Sequence, residues 1–254
     1  GTTGRGLTAG ALIEGIMRLA GGLGARGIGP GQVVAVMAPN IPDYVIAFHG
    51  PLWAGSTVTT INPSYTAPEV HHQLADSGAV MLITIPAFLE TARAAVDGTG
   101  VTEIVVIGEA EGATAFAALM GDPVPAQVVV DVVQDTAVLP YSSGTTGLPK
   151  GVMLTHRNLV VNVDQCAVTL GAGPGDWSVA FLPFFHIYGQ TVLMNLHLAV
   201  GASLVTMPRF DLPLFLKLCG DYRTRQIFVA PPVAVALAKH PVVDSFDMSA
   251  VERL

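Results

Sequence analysis

The chain has 254 residues, of which 51% are hydrophobic and 12% charged, with a net charge of −7 and a mean hydropathy of +0.55. No basic stripe is present to neutralise a phosphate backbone, which argues against nucleic acid as a partner. Two cysteines, Cys166 and Cys219, are too few for a disulfide framework, and residues 1–6 lack a charged-then-apolar leader pattern, so a reducing cytoplasm is the expected location.

Leu12, Ile16, Leu19 and Leu23, flanked by Ile13 and Ala20, form an apolar stripe at helical spacing that ends near Gly27. Gly29-Pro30-Gly31 then turns the chain into a strand over 33–37. Further along, 42–53 predicts a helix, 56–61 a strand, 68–76 a helix, 80–83 a strand, 86–96 a helix and 104–107 a strand. Such β-α-β alternation predicts an α/β fold with largely parallel sheets flanked by helices and right-handed crossovers. Apolar runs such as Val33-Val34-Ala35-Val36-Met37 suit strands covered on both faces. Residues 108–134 are the least regular, an exposed excursion rich in Gly, Ala, Pro and acidic side chains. A boundary near Val132–Gln134 is expected, with a first α/β subdomain over 1–134 and a second over 135–254. Beyond Thr155, strands are expected near Val179, Leu204 and Ile227. The stretch 179–207 is the most membrane-like, yet Pro183, His186, Gln190, Asn195 and His197 interrupt it. A membrane-crossing helix needs about 20 mostly apolar residues. The stretch therefore reads as strand, helix, strand; no transmembrane segment is expected, and peripheral contact with a membrane is left open.

The most informative segment is Tyr141-Ser-Ser-Gly-Thr-Thr-Gly-Leu-Pro-Lys-Gly151. Thr136–Pro140 predicts a short buried strand before it, 151–155 an antiparallel return, and His156 opens a helical pattern. Glycines let backbone approach a ligand where a Cβ would block it, and successive amides in such a turn make an anion-binding concavity. The hydroxyls of Ser142, Ser143, Thr145 and Thr146 add donors, and Lys150 adds charge. Together they suit a phosphate-gripping loop. The spacing is not that of a P-loop, since Leu148 and Pro149 part Gly147 from Lys150. Neither serine has the G-x-S-x-G setting of a nucleophile elbow.

The string from 141 to 160, YSSGTTGLPKGVMLTHRNLV, resembles the signature of the adenylate-forming (AMP-binding) superfamily, which includes acyl- and aryl-CoA synthetases, 4-coumarate–CoA ligases and luciferases. Leu182-Pro-Phe-Phe-His186-Ile-Tyr188-Gly189, Met207-Pro-Arg209-Phe-Asp211 and Val229-Ala-Pro-Pro232 resemble later family segments, in family order. Met37-Ala-Pro-Asn40 and Ile61-Asn-Pro63 resemble two earlier turns, and the closest flavour is the 4-coumarate–CoA ligase-like or fatty acyl-CoA synthetase branch.

The resemblance implies part of the large N-terminal domain of an ATP-dependent acid–CoA ligase. Such an enzyme adenylates a small-molecule carboxylic acid with release of pyrophosphate, then forms a thioester with CoA. It further implies that Ser142, Ser143, Gly144, Thr145, Thr146, Gly147 and Lys150 hold the ATP phosphates, with Mg²⁺ near Thr145 or Thr146. His186 and Tyr188 would line the acyl pocket; Val192, one helical turn on, would share that wall. Arg209 would lie near the CoA phosphates. His186 is expected to position substrate and not to act as a base, because a carboxylate is already ionised at neutral pH.

No catalytic residue is assigned. The family's Tyr-Gly-x-Thr-Glu motif, ribose-binding aspartate, downstream arginine and C-terminal adenylation lysine have no counterpart in the chain, which resembles about the first half of a family enzyme. Alone, it is expected to give no ligase turnover. Two other readings stay open: a non-catalytic nucleotide- or acyl-binding module on this scaffold, and an acyl-AMP ligase serving a carrier protein. His71-His72 lacks a third ligand at metal spacing, and Asp164 and Cys166 are expected to be structural.

Overall fold

The structure, a computed structural model, describes residues 4–142 and 149–254. Backbone contacts separate two compact units. The first comprises Gly6–Ala38 and Pro42–Leu159; the second gathers Pro39–Ile41 and Val160–Leu254 with residues 4 and 5. The boundary expected near Val132–Gln134 falls within the first unit.

The first unit opens with α1 (Ala9–Ala25), whose N-terminus is capped by Thr8 Oγ1 accepting from the Ala11 amide at 3.2 Å. Of its predicted stripe, Ile16, Leu19, Ala20 and Leu23 are buried, Leu12 is half-buried and the flanking Ile13 is exposed. The chain then alternates through β1 (Val33–Val36), α2 (Pro42–Trp53), β2 (Thr57–Thr60), α3 (Ala67–Ser77), β3 (Ala79–Thr84), α4 (Leu89–Val96) and β4 (Glu103–Val106). A two-residue strand, β5 (Thr114–Ala115), lies in the stretch expected to be irregular. After it come β6 (Thr136–Ser142), β7 (Lys150–Gly151) and β8 (Leu154–Thr155). The sheet order is β5-β4-β3-β1-β2-β6-β7, with β8 also on β6. Strands β1 to β6 pair in parallel, while β7 and β8 run antiparallel to β6. The expected antiparallel return over 151–155 is thus present as two short pieces.

Both sheet faces are covered, which explains the unbroken apolar strands. Ala35, Met37, Ile61 and Leu82 pack with Val70 and Leu74 of α3 and with Ala92 and Ala95 of α4. Alternate strand residues face the other way, and there α2 packs on β1 and β2 and against α1. Glycines permit that close packing. A Cβ on Gly50 would lie 2.4 Å from the Leu19 side chain, and one on Gly22 would lie 1.5 Å from the Leu119 carbonyl oxygen.

The second unit takes over α5 (His156–Leu170) from Val160 onward. Here β9 (Trp177–Ala180) pairs in parallel with β10 (Ser203–Thr206). Between them the expected helix is a wide π-helical segment, Gly189–Asn195, that tightens into α6 (Leu196–Ala199). Val179, Val205 and Met207 pack against Phe215, Leu216 and Cys219 of α7 (Leu212–Asp221). After α7 the chain runs into α8 (Pro231–Lys239). Ile227 joins this core, but no strand forms there; Gln226 makes only a single parallel bridge to Arg253. No helix among the described residues is long and apolar enough to cross a membrane. Cys166 and Cys219 are both unbridged thiols.

His197 is buried, with Nε2 2.8 Å from Ser178 Oγ, and burial pushes its imidazole below the ordinary histidine range. The neutral ring is the form the fold accepts.

Two stability outcomes follow from this packing. Gly22→Ala should destabilise the protein by about 2–4 kcal/mol in urea unfolding, because backbone must move. By contrast, Gly24→Ala on the same helix meets nothing within 4 Å and should stabilise by up to about 1 kcal/mol. Equal effects would contradict the packing of α1. For His197, the unfolded chain takes up a proton below about pH 6.5 while the folded one resists it, so stability is present above that pH and lost below it. In His197→Gln the urea midpoint should fall less between about pH 7 and pH 5 than in the wild type; an identical fall would exclude this histidine as the source.

Candidate nucleotide and acyl sites

The two stems of the glycine- and hydroxyl-rich loop are the paired ends of β6 and β7, where Tyr141 faces Gly151 and Ser142 faces Lys150. Ser142 and Lys150 are both exposed at this mouth. Ser143, Gly144, Thr145, Thr146 and Gly147 lie outside the described residues. Gly151 makes room for the Tyr141 ring, since a Cβ there would stand 3.2 Å from it.

Each stem is tied to α3. The Tyr141 hydroxyl donates to Asp76 Oδ2 at 2.6 Å, and burial together with that carboxylate pushes the phenol well above its usual range. On the other stem, His72 Nε2 lies 3.0 Å from the Pro149 carbonyl oxygen. A carbonyl only accepts, so His72 is the donor and its proton sits on Nε2. The His72 and Tyr141 rings meet edge-on, with centroids 6.4 Å apart. His72 and Asp76 are four residues apart and therefore share one helical face.

The position of α3 is set in turn by other polar contacts. At its start, Glu69 Oε2 accepts from both the amide and the hydroxyl of Thr66 at 2.7 Å. At its end, Gly78 takes a left-handed φ of +66° that turns the chain into β3. Buried Gln73 donates to Thr59 Oγ1 and the Thr60 carbonyl of β2, and His71 Nδ1 lies 3.0 Å from the Ala95 carbonyl. Strand β2 also reaches β6 through side chains, with Thr57 and Thr59 donating to the Thr136 and Leu139 carbonyls at 2.6 and 2.8 Å. The sequence had weighed His72 only as a metal ligand. Among the described residues no group of three or more His, Cys, Asp or Glu is placed to hold a metal.

In the second unit, one buried asparagine organises the segment around His186. Asn40 Nδ2 donates to the carbonyls of Ala180 and Leu182, and Oδ1 accepts from the Phe184 amide, each at 2.9 Å. This fixes the turn leaving β9. Gly189 packs on the same turn, where a Cβ would lie 2.3 Å from the Pro183 carbonyl oxygen. Tyr188 and Val192 then line a cavity of about 970 Å³ with Cys166, Leu170, Phe228 and Val229. His186 is exposed and outside that lining; its Nδ1 accepts from the Tyr188 amide at 3.2 Å. Arg209 is exposed just beyond β10. Cys166, expected to be purely structural, is part of the cavity wall.

A family model described as AMP-binding enzyme matches residues 2–254. A curated 4-coumarate–CoA ligase from Oryza sativa subsp. japonica is 38% identical over 261 residues, covering 99% of this chain and 47% of that protein. A long-chain-fatty-acid–CoA ligase structure from Archaeoglobus fulgidus is 31% identical with a TM-score of 0.86, covering 94% of this chain and 48% of that one. A red-emitting luciferase structure from Phrixothrix hirtus is 26% identical with a TM-score of 0.91, covering 99% of this chain and 50% of that one. The chain spans about half the length of the curated relatives it matches. A parallel sheet carrying the loop stems, joined to a family match over nearly every residue, leaves one assignment: the chain belongs to the AMP-binding, adenylate-forming enzyme family.

Proposed function

We propose that this chain supplies the phosphate-binding loop and part of the acyl pocket of an ATP-dependent acid–CoA ligase. The observation that carries this reading is the β6–β7 hairpin, which sets the Lys150 cation across from the Ser142 hydroxyl at an exposed mouth. In adenylation a carboxylate oxygen bonds to the α-phosphorus of ATP as the bond to pyrophosphate breaks. Charge grows on the phosphoryl oxygens and on the leaving pyrophosphate, so positioned donors and cations are the main source of rate. Lys150 and the hydroxyls of Ser142, Ser143, Thr145 and Thr146 are suited to that task, with the amides of Gly144 and Gly147. A hydroxyl-rich donor set also fits Mg²⁺ arriving on the triphosphate, with Thr145 and Thr146 as its proposed partners; the ion would add positive charge at the same oxygens.

The acid would lie with its chain in the cavity beside Tyr188 and Val192. Cavities of roughly 300–1,000 Å³ lined mainly by apolar side chains suit such ligands. With Nδ1 of His186 taken by a backbone amide, Nε2 carries the ring proton and can donate to the substrate carboxylate. In the second half-reaction the CoA thiol attacks the acyl-AMP carbonyl and AMP leaves, and Arg209 is the proposed contact for CoA phosphates.

Lys150→Ala in the full-length protein should lower acid-dependent ATP–pyrophosphate exchange by about tenfold or more. Unchanged exchange and unchanged ATP affinity would remove the phosphate role. Val192→Phe should narrow the cavity and lower kcat/KM for the bulkiest acids accepted by on the order of tenfold, with small acids little affected. A uniform loss across acids would place Val192 outside the acyl path.

A further inference from the structure

We infer that α3 sets the positions of the two described stems, and with them Ser142 and Lys150, with His72 and Asp76 as positioning residues for ATP; this rests on those stems belonging to the ATP site. The hairpin cannot fix its own mouth. Strand β7 is two residues long and pairs with β6 at Tyr141–Gly151 and Ser142–Lys150; the returning chain's other contacts, Val152 N–H to the Pro140 carbonyl and the β8 pairing, lie further from the mouth. A ladder that short is marginal without support. Support arrives from one face of one helix, and it reaches both stems: Asp76 accepts from Tyr141 on the entering strand, and His72 donates to Pro149 on the leaving one. The two rings pack edge-on between these bonds, and Gly151 leaves space for the tyrosine.

The helix is a fit reference for that purpose. Gln73 bonds it to β2, His71 bonds it to the end of α4, and Glu69 closes its first turn. Stems held in advance lower the cost of bringing Ser142 and Lys150 to a ligand. Neither His72 nor Asp76 touches nucleotide in this scheme. Each acts through the stem it holds, and the distance between stems decides whether Ser142 and Lys150 converge on one phosphate chain.

The test uses the full-length protein, acid-dependent ATP–pyrophosphate exchange, and calorimetric titration with a non-hydrolysable ATP analogue. His72→Phe and Tyr141→Phe should each raise KM for ATP and weaken the analogue by about fivefold to tenfold, as loss of one hydrogen bond at a preorganised site does. KM for the acid and the melting temperature should stay unchanged. In His72→Gln the amide group can replace Nε2 as donor, and ATP affinity should recover. Ala75→Gln, at an exposed position of the same helix, serves as the control and should leave KM for ATP unaltered. If His72→Phe lowers stability, the analogue affinity of Tyr141→Phe, checked for an unchanged melting temperature, decides the matter. Unchanged affinity in both, while Lys150→Ala does weaken ATP, would overturn this inference alone. Unchanged affinity in Lys150→Ala as well would overturn the ATP reading on which it rests. An equal rise in KM for acid and ATP would mark a general structural role and also overturn it.

Discussion

The polar contacts of α3 are the constraint on which the first unit's candidate site depends. Apolar burial of Val70 and Leu74 holds the helix to the sheet, but burial is non-directional and leaves rotation and sliding poorly fixed. Direction comes from side chains that end in nitrogen or oxygen. Gln73 is pinned to β2, His71 to the last turn of α4, and His72 and Asp76 to the two stems of the hairpin. A typical protein hydrogen bond contributes only about 1 kcal/mol net, so these contacts matter less as stabilisers than as coordinates. They convert the rigid parallel sheet into a fixed mount for an otherwise short, weakly paired hairpin.

The same economy runs through the chain. With charged residues so scarce, orientation is delegated to neutral hydroxyls and amides. Thr57 and Thr59 lock β2 to β6 through side chains as well as backbone, beside the ladder that already pairs them. Asn40 uses both ends of its amide to shape the turn after β9. In an apolar interior such bonds are worth keeping because breaking one leaves its partner unsatisfied, which costs more than the bond itself contributes. The sites thus borrow their geometry from groups that do no chemistry.

Much of the first unit was legible in the sequence because its signals are local. The stripe of α1, the apolar runs of β1 and β3, and the strand–loop–strand pattern around Ser142 each follow from periodicity within a few residues. Contacts between distant positions were not legible. His72 meets Pro149, Asp76 meets Tyr141, and Asn40 meets Ala180 only after the sheet has assembled. The π-helical segment was hidden for another reason: Gly189 through Met194 are all buried, so no polar face marks the period. The strand expected at Ile227 failed because its neighbours find a single bridge partner, Arg253, and no ladder. Family resemblance supplied the roles for His186, Tyr188 and Arg209; the residues alone would have suggested an aromatic core and a solvated cation.

Asn40 has a bearing on how the molecule could be dissected. It comes from a three-residue excursion, Pro39–Ile41, that leaves the first unit and belongs to the second. The second unit is consequently discontinuous along the chain, and no single cut liberates it intact. A fragment starting at Val160 would carry β9 and its exit turn without the amide that satisfies the Leu182 carbonyl and the Phe184 N–H and that shares the Ala180 carbonyl with Met207. Two main-chain groups in the interior, the Leu182 carbonyl and the Phe184 N–H, would then lose their partner at once, while the Ala180 carbonyl keeps the Met207 amide. The covalent order of the chain and its modular anatomy are different partitions.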